Sequence, residues 1–378
     1  IPVGLSLLLG LFLDGAMAKR ALFFAMAVVT LRQYGTTACT CSPFSGNQGS
    51  CCPDGADTCS HWGETLSCTG GTPTCCNSDF ASVCCPENSA CSQGCRDSLL
   101  GSCDCIPLRE SRYNETDALY SLAFVAASQC TPEAGLNNTW ACTACPASMP
   151  LQEVTVVQNE GHQALVGYDE SRGAAVVALR GSLSLEDWIA DLQSATMVDY
   201  PYCEGCQIGT GWLTACESLQ PGVTEALVDI VSHHSDVDVE IVVTGHSLGG
   251  AMAPIFLAEL ANSEPSLYSA VSLPVYTFGQ PRGGNAAYAS WASEKFDLYR
   301  VVHHDDPVPH LPPPALGFVQ MNTEVWYAES GTGLGSYEVC DGSGEDQQCS
   351  AGTLVSGDFT DHTTYLDHDI CQCDPSGF

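Results

Sequence analysis

Short apolar runs recur along residues 106–378, separated by polar or glycine- and proline-containing stretches. Residues 154–157, 164–167 and 174–179 are rich in valine and alanine and predict strands. Residues 239–243, 275–278 and 298–302 predict further strands of the near-continuously apolar kind that is buried on both faces. Residues 186–192 and 212–231 instead carry apolar positions at helical spacing, and 251–260 is compatible with a helix. Strands alternating with helices predict an α/β fold around a central, mostly parallel sheet. The glycine- and serine-rich stretch 331–344 is expected to be loop.

One of these strands ends in chemistry. The run Val242-Val243-Thr244-Gly245-His246-Ser247-Leu248-Gly249-Gly250 stops a strand at Gly-x-Ser-x-Gly, and a helix follows at once. That is the setting of a nucleophile elbow, where a tight strand-to-helix turn holds the serine hydroxyl out at the positive end of the helix. Glycines two residues either side leave room for neighbouring backbone. A serine hydroxyl is a weak nucleophile, so it needs a base, and the base needs an orienting carboxylate. Residues Tyr299-Arg300-Val301-Val302-His303-His304-Asp305-Asp306-Pro307 follow a strand end and offer Asp305 and Asp306. Near the C-terminus, His362 and His368 offer imidazoles. The chain order Ser, Asp, His is the order of such triads on α/β sheets.

Composition adds a compartment and removes some partners. The 378 residues include 24 cysteines, which points to an oxidising compartment and disulfides. Acidic residues number 44 against 11 basic ones, a formal charge of −33, which disfavours nucleic acid and anionic lipid as partners. Residues 1–38 are expected to be a targeting segment. Met17-Ala18-Lys19-Arg20 forms a basic start, residues 21–31 an apolar stretch, and Thr36-Thr37-Ala38 a cleavage zone. Met17 is the expected natural start, with residues 1–16 outside the protein. Both apolar runs are shorter than the ~20 residues a membrane span needs, so no permanent span is expected after cleavage. Residues 39–105 hold 14 of the cysteines with few other apolar residues, and predict a small disulfide-rich module whose ligand the sequence does not name. Zinc is disfavoured there because no matched pair of Cys-x2-Cys motifs is present. Asn114-Glu115-Thr116 and Asn137-Asn138-Thr139 are glycosylation sequons, at Asn114 and Asn137.

Several segments, in order, resemble the class 3 lipase family, which includes fungal triacylglycerol lipases and feruloyl esterases. They are Ala178-Leu179-Arg180-Gly181-Ser182 with the stretch to Leu192, the Gly245–Gly250 elbow, Tyr276-Thr277-Phe278-Gly279-Gln280-Pro281-Arg282, Asp306-Pro307-Val308-Pro309-His310, Glu324-Val325-Trp326-Tyr327, and Asp361-His362-Thr363-Thr364-Tyr365. The resemblance covers roughly residues 115–373. It implies an α/β-hydrolase fold with a helical lid, preceded by the disulfide-rich module, so that residues 106–378 form the catalytic domain. It implies Ser247 as nucleophile, His362 as base and Asp306 as orienting carboxylate, with Ser182 and Leu248 forming the oxyanion hole. Leu185, Trp188 and Ile189 fall in the lid. The pairs Cys142–Cys145, Cys203–Cys206, Cys340–Cys349 and Cys130–Cys373 are the implied disulfides; Cys216 and Cys371 remain, and a bond between them is a guess that the sequence does not fix. Ile208-Gly209-Thr210-Gly211-Trp212 departs from the family by lacking a histidine after the lid.

The expected protein is therefore a secreted, monomeric serine ester hydrolase without cofactor or metal. It would act at a lipid–water interface on triacylglycerols through an acyl-enzyme. A feruloyl-type esterase on polysaccharide-linked esters is the alternative within hydrolases, which a polar lid would favour. A non-catalytic adhesion protein is the alternative of another class, and a missing triad residue would favour it.

Overall fold

The computed structural model describes residues 112–182, 192, 194–272, 274–329, 334–353 and 359–373, and the backbone of six short strands between Thr58 and Pro107. The expected targeting segment, most of the cysteine-rich module and the lid residues Leu185, Trp188 and Ile189 lie outside the described residues. The six short strands form three antiparallel pairs, Thr58–His61 with Glu64–Ser67, Thr74–Asn77 with Ser82–Cys85, and Ser89–Cys91 with Cys105–Pro107.

Helix α1 (Glu115–Ser128) opens the larger module, capped by Asn114, whose side-chain oxygen accepts from the N–H groups of Thr116 and Asp117. Eight strands follow and lie side by side in chain order: β1 (Gln152–Asn159), β2 (His162–Asp169), β3 (Ala174–Leu179), β4 (Glu240–His246), β5 (Val275–Phe278), β6 (Leu298–His303), β7 (Glu324–Tyr327) and β8 (Glu338–Val339). The first three are antiparallel, β3 through β7 run parallel, and β8 returns antiparallel to β7. Strand β8 falls inside the stretch expected to be loop. Its two residues pair with Val325 and Trp326, and the pairing, rather than local propensity, makes it a strand.

The strands alternate their side chains between two apolar layers. Ala175, Val177 and Leu179 pack with Ile241 and Val243 against helices α2 (Thr210–His233) and α3 (Leu248–Ser263). Ala174, Val176, Ala178 and Val242 face the other way, towards Phe124 of α1. Both faces are covered, which is why these strands read as unbroken apolar runs. Helix α3 is buried almost all round between sheet and α2, so its sequence shows no polar stripe. Leu192, the last residue of the segment expected to form the lid, is buried in this same core.

Among the described residues, four disulfides join Cys130 to Cys373, Cys142 to Cys145, Cys203 to Cys206 and Cys340 to Cys349. The pairing of Cys216 with Cys371 does not form. Cys216 is a free thiol inside the α2–α3 layer, against the carbonyl of Met252, while Cys371 packs in the cluster on the opposite face of the sheet. Burial raises the Cys216 thiol pKa and keeps it unreactive.

At the far end of α2, His233 and His234 each lie 2.7 Å from one oxygen of Glu153. Partial burial alone would raise the Glu153 carboxyl, but the two imidazoles outweigh it and hold the pKa low. The same contact raises exposed His233. A depressed carboxylate stabilises above its unfolded pKa and loses that stabilisation as pH falls. A raised imidazole stabilises below its unfolded pKa and loses it as pH rises. The clamp therefore acts between about pH 4.3 and 6.5. Glu153→Gln is expected to lower the melting temperature in that window and to change it little at pH 8; an equal drop at both pH values would show that charge plays no part.

Candidate active site

The parallel strands deliver their ends to one edge of the sheet, where ligand sites of open α/β sheets form. Ser247 stands between β4 and α3 with φ 56° and ψ −123°, a strained backbone for a residue with a Cβ. Its N–H donates to the Phe278 carbonyl at 2.9 Å, which fixes the turn against β5. The elbow glycines are required by close approach. A Cβ on Gly245 would run into the carbonyl of Gly249, and one on Gly249 into the carbonyl of Leu179 at the end of β3. That second contact brings the β3 end to the serine, where a Cβ on Gly181 would lie 3.2 Å from the Ser247 Cβ. Ser182, half-buried, follows directly. Leu248 begins α3, so its N–H is among those a helix leaves without internal partners.

Strand β6 runs into the turn that carries Asp306. This carboxylate is fully buried and accepts from the Val308 N–H at 2.8 Å. His362 sits on the short helix α4 (Thr360–Thr363), also fully buried, with Nδ1 2.8 Å and 3.0 Å from the two Asp306 oxygens. Tyr365 donates its hydroxyl to the same carboxylate. Burial alone would raise the Asp306 pKa, but the His362 imidazole, the Tyr365 hydroxyl and the Val308 N–H outweigh it and keep it low. Facing a carboxylate, Nδ1 must carry the proton, and Nε2 is left with a lone pair. Nε2 of His362 and Oγ of Ser247 are both buried and have no hydrogen-bond partner among the described residues. An acceptor and a donor are thus held unsatisfied inside the protein, beside the orphan N–H groups of a helix start. That arrangement can move a proton from a serine to an imidazole and stabilise an oxyanion.

The other sequence candidates stand elsewhere. Asp305 is half-exposed and its nearest imidazole is His304, at 3.9 Å. His368 lies in a two-stranded turn, where its Nδ1 meets the Leu366 carbonyl.

Sequence reading missed the residues that hold the site. Gly279, with φ +57°, lies so close to His362 that a Cβ would come 2.7 Å from its Cε1 and 2.8 Å from the Tyr365 hydroxyl. Arg282 donates to both oxygens of Glu345 at 2.7 and 2.8 Å and to the carbonyls of His310 and Pro312, so it ties the Asp306 turn to the Cys340–Cys349 loop. Arg300, fully buried, donates to Glu324, Met321 and Gly344. Trp212 fills the position after the departure from the family pattern, donating to the Arg282 carbonyl at 3.2 Å. Gly279 and Arg282 both stand in the Tyr276–Arg282 signature, where a reader looking for reactive groups passes over them.

Gly279→Ala is expected to cut turnover by about 10²-fold with little change in KM, because the new methyl displaces His362 from Asp306. Unchanged turnover in the folded variant would show that the position of His362 does not govern activity.

Residues 176–316 match the family model described as lipase, class 3. The chain is 32% identical over 233 residues to a lipase of Rhizomucor miehei, covering 60% of this chain and 62% of that one. It is 31% identical over 223 residues to secreted mono- and diacylglycerol lipase 1 of Fusarium solani, covering 57% and 62%. The alignment thus spans 62% of the length of either curated relative. The solved structure of a triacylglycerol lipase whose catalytic centre is formed by a serine protease triad is also similar. It superposes with a TM-score of 0.59 at 28% identity, over 70% of this chain and 98% of that one. Through the sheet, the elbow and the Asp306 turn, this chain is similar to lipases of class 3.

Proposed function

We propose that the protein is a secreted serine ester hydrolase acting on acylglycerols at a lipid–water interface. The observation that carries this is the buried pair of unsatisfied groups, Ser247 Oγ and His362 Nε2, with Asp306 behind the imidazole. Ser247 Oγ attacks the ester carbonyl as His362 Nε2 takes its proton, and the N–H groups of Ser182 and Leu248 receive the developing oxyanion. The imidazolium returns its proton to the leaving alcohol, and an acyl-enzyme remains. Water then repeats the sequence, with the alcohol's place taken by the serine. Similarity to lipases of two fungi supports a lipid ester as substrate, and the relative named for mono- and diacylglycerols favours partial glycerides as a second reading. Export is supported by the four disulfides and by the secreted relative. No helix among the described residues is long and apolar enough to cross a membrane.

Assays of the purified protein on emulsified triolein, diolein and monoolein, and on methyl ferulate, test the substrate class. Acylglycerol hydrolysis that rises above the solubility limit of the substrate supports the proposal; preference for methyl ferulate without interfacial dependence contradicts it. The apolar lid positions Leu185, Trp188 and Ile189 favour lipid. Opening such a lid wets apolar surface at roughly 25 cal/mol per Å², a cost that a lipid surface removes. Trp188→Ser is therefore expected to lower activity on emulsified triglyceride far more than on a soluble short-chain ester. Equal losses on both would make Trp188 an ordinary packing residue.

A further inference from the structure

His246, the middle residue between Gly245 and Ser247, is buried, polar and unused by the chemistry described above. Its Nε2 lies 2.8 Å from the backbone carbonyl of His362. A carbonyl only accepts, so this nitrogen carries a proton and donates. The two imidazole rings are 4.4 Å apart, and the His246 ring stands 6.0 Å from the ring of Tyr365, the residue that donates to Asp306. On its other side, the Nδ1 edge borders Gly181, where a Cβ would come within 3.2 Å. The His246 side chain therefore lies close to the end of β3 that leads to Ser182 and bonds to the segment that carries His362, while its backbone is joined directly to Ser247.

We propose that His246 is a positioning residue that holds the His362 main chain in register with Ser247 by donating its Nε2–H to the His362 carbonyl. The inference rests on reading Ser247 and His362 as nucleophile and base. A serine on a strand end and a base on a short helix more than a hundred residues later share no secondary structure. Their alignment needs a direct strut, and His246 is the side chain that spans them. The strut must also stay neutral, since a cation at this distance would oppose the imidazolium that His362 becomes during proton transfer. Burial, and next the neighbouring His362, lower the His246 pKa to about 3, so the ring remains uncharged across the working range.

Three variants separate donation from bulk. His246→Phe keeps a ring without a donor, His246→Gln keeps an N–H at the end of a side chain of similar reach, and His246→Asn keeps an amide too short to reach. The readouts are kcat and KM on a soluble short-chain ester, and the rate at which a fluorophosphonate labels Ser247. His246→Phe is expected to lower kcat and the labelling rate together by about 10²-fold while KM stays within about threefold. His246→Gln is expected to restore both to within about tenfold of the parent. If the phenyl ring prevents folding, the Asn-against-Gln contrast gives the same comparison. A folded His246→Phe with parental kcat, or Phe, Asn and Gln variants that lose equally, overturns the inference. Ser247→Ala assayed alongside keeps the two levels apart: if it retains activity, the reading of the site fails, whereas if it is inactive and His246→Phe is not, only the strut fails.

Discussion

Ser247→Ala is expected to lower ester hydrolysis by about 10⁴-fold or more while the melting temperature stays at or above that of the parent protein. The hydroxyl is the group that would form the acyl-enzyme, and no other side chain at the elbow can replace it. Residual turnover would come from the oxyanion donors and from binding, which the variant retains. Stability should not fall, because the Ser247 Oγ makes no hydrogen bond to any described residue and the residue's backbone conformation is strained. Retention of more than a few per cent of activity by the folded variant would remove Ser247 from the nucleophile's role.

His362→Ala is expected to be nearly as severe, because without the imidazole the serine proton has no acceptor and Asp306 is left as a buried carboxylate without its partner. This variant should also be less stable than Ser247→Ala. Removing a hydrogen bond to a charged group costs about 1.5–3 kcal/mol, while the Tyr365 hydroxyl and the Val308 N–H still donate to Asp306. His368→Ala should change activity little, since that ring meets the Leu366 carbonyl in a two-stranded turn away from Asp306 and Ser247. The opposite ranking of the two histidines would move the base to His368.

How far the sequence goes depends on which part of the site is local. The strands could be read because burial on both faces makes them continuously apolar, and the elbow because its glycines follow from steric contacts within a few residues. The contacts of Gly249 with Leu179 and of Gly245 with Gly249 are the physical content of that motif. The pairing of Asp306, rather than Asp305, with His362 could be named only through resemblance, since nothing in the two-residue run itself distinguishes them. In the structure, the β6 turn buries Asp306 fully and leaves Asp305 half-exposed. Gly279 could not be assigned a role, because its demand comes from His362, distant in sequence. His246 was hidden inside the motif it supports. Strand β8 and the free Cys216 were misjudged for the same reason: pairing and packing partners, not local composition, set their state.

The central claim is that Ser247 carries the acyl group between the two half-reactions. Acid quenching during the first turnovers of a p-nitrophenyl ester, followed by digestion and mass analysis of the peptides, measures this directly. The account predicts one acyl group per molecule, on the peptide that contains Gly245-His246-Ser247-Leu248-Gly249 and at Ser247 within it. An acyl group on any other residue, or steady hydrolysis with no acylated peptide in the burst phase, would contradict it.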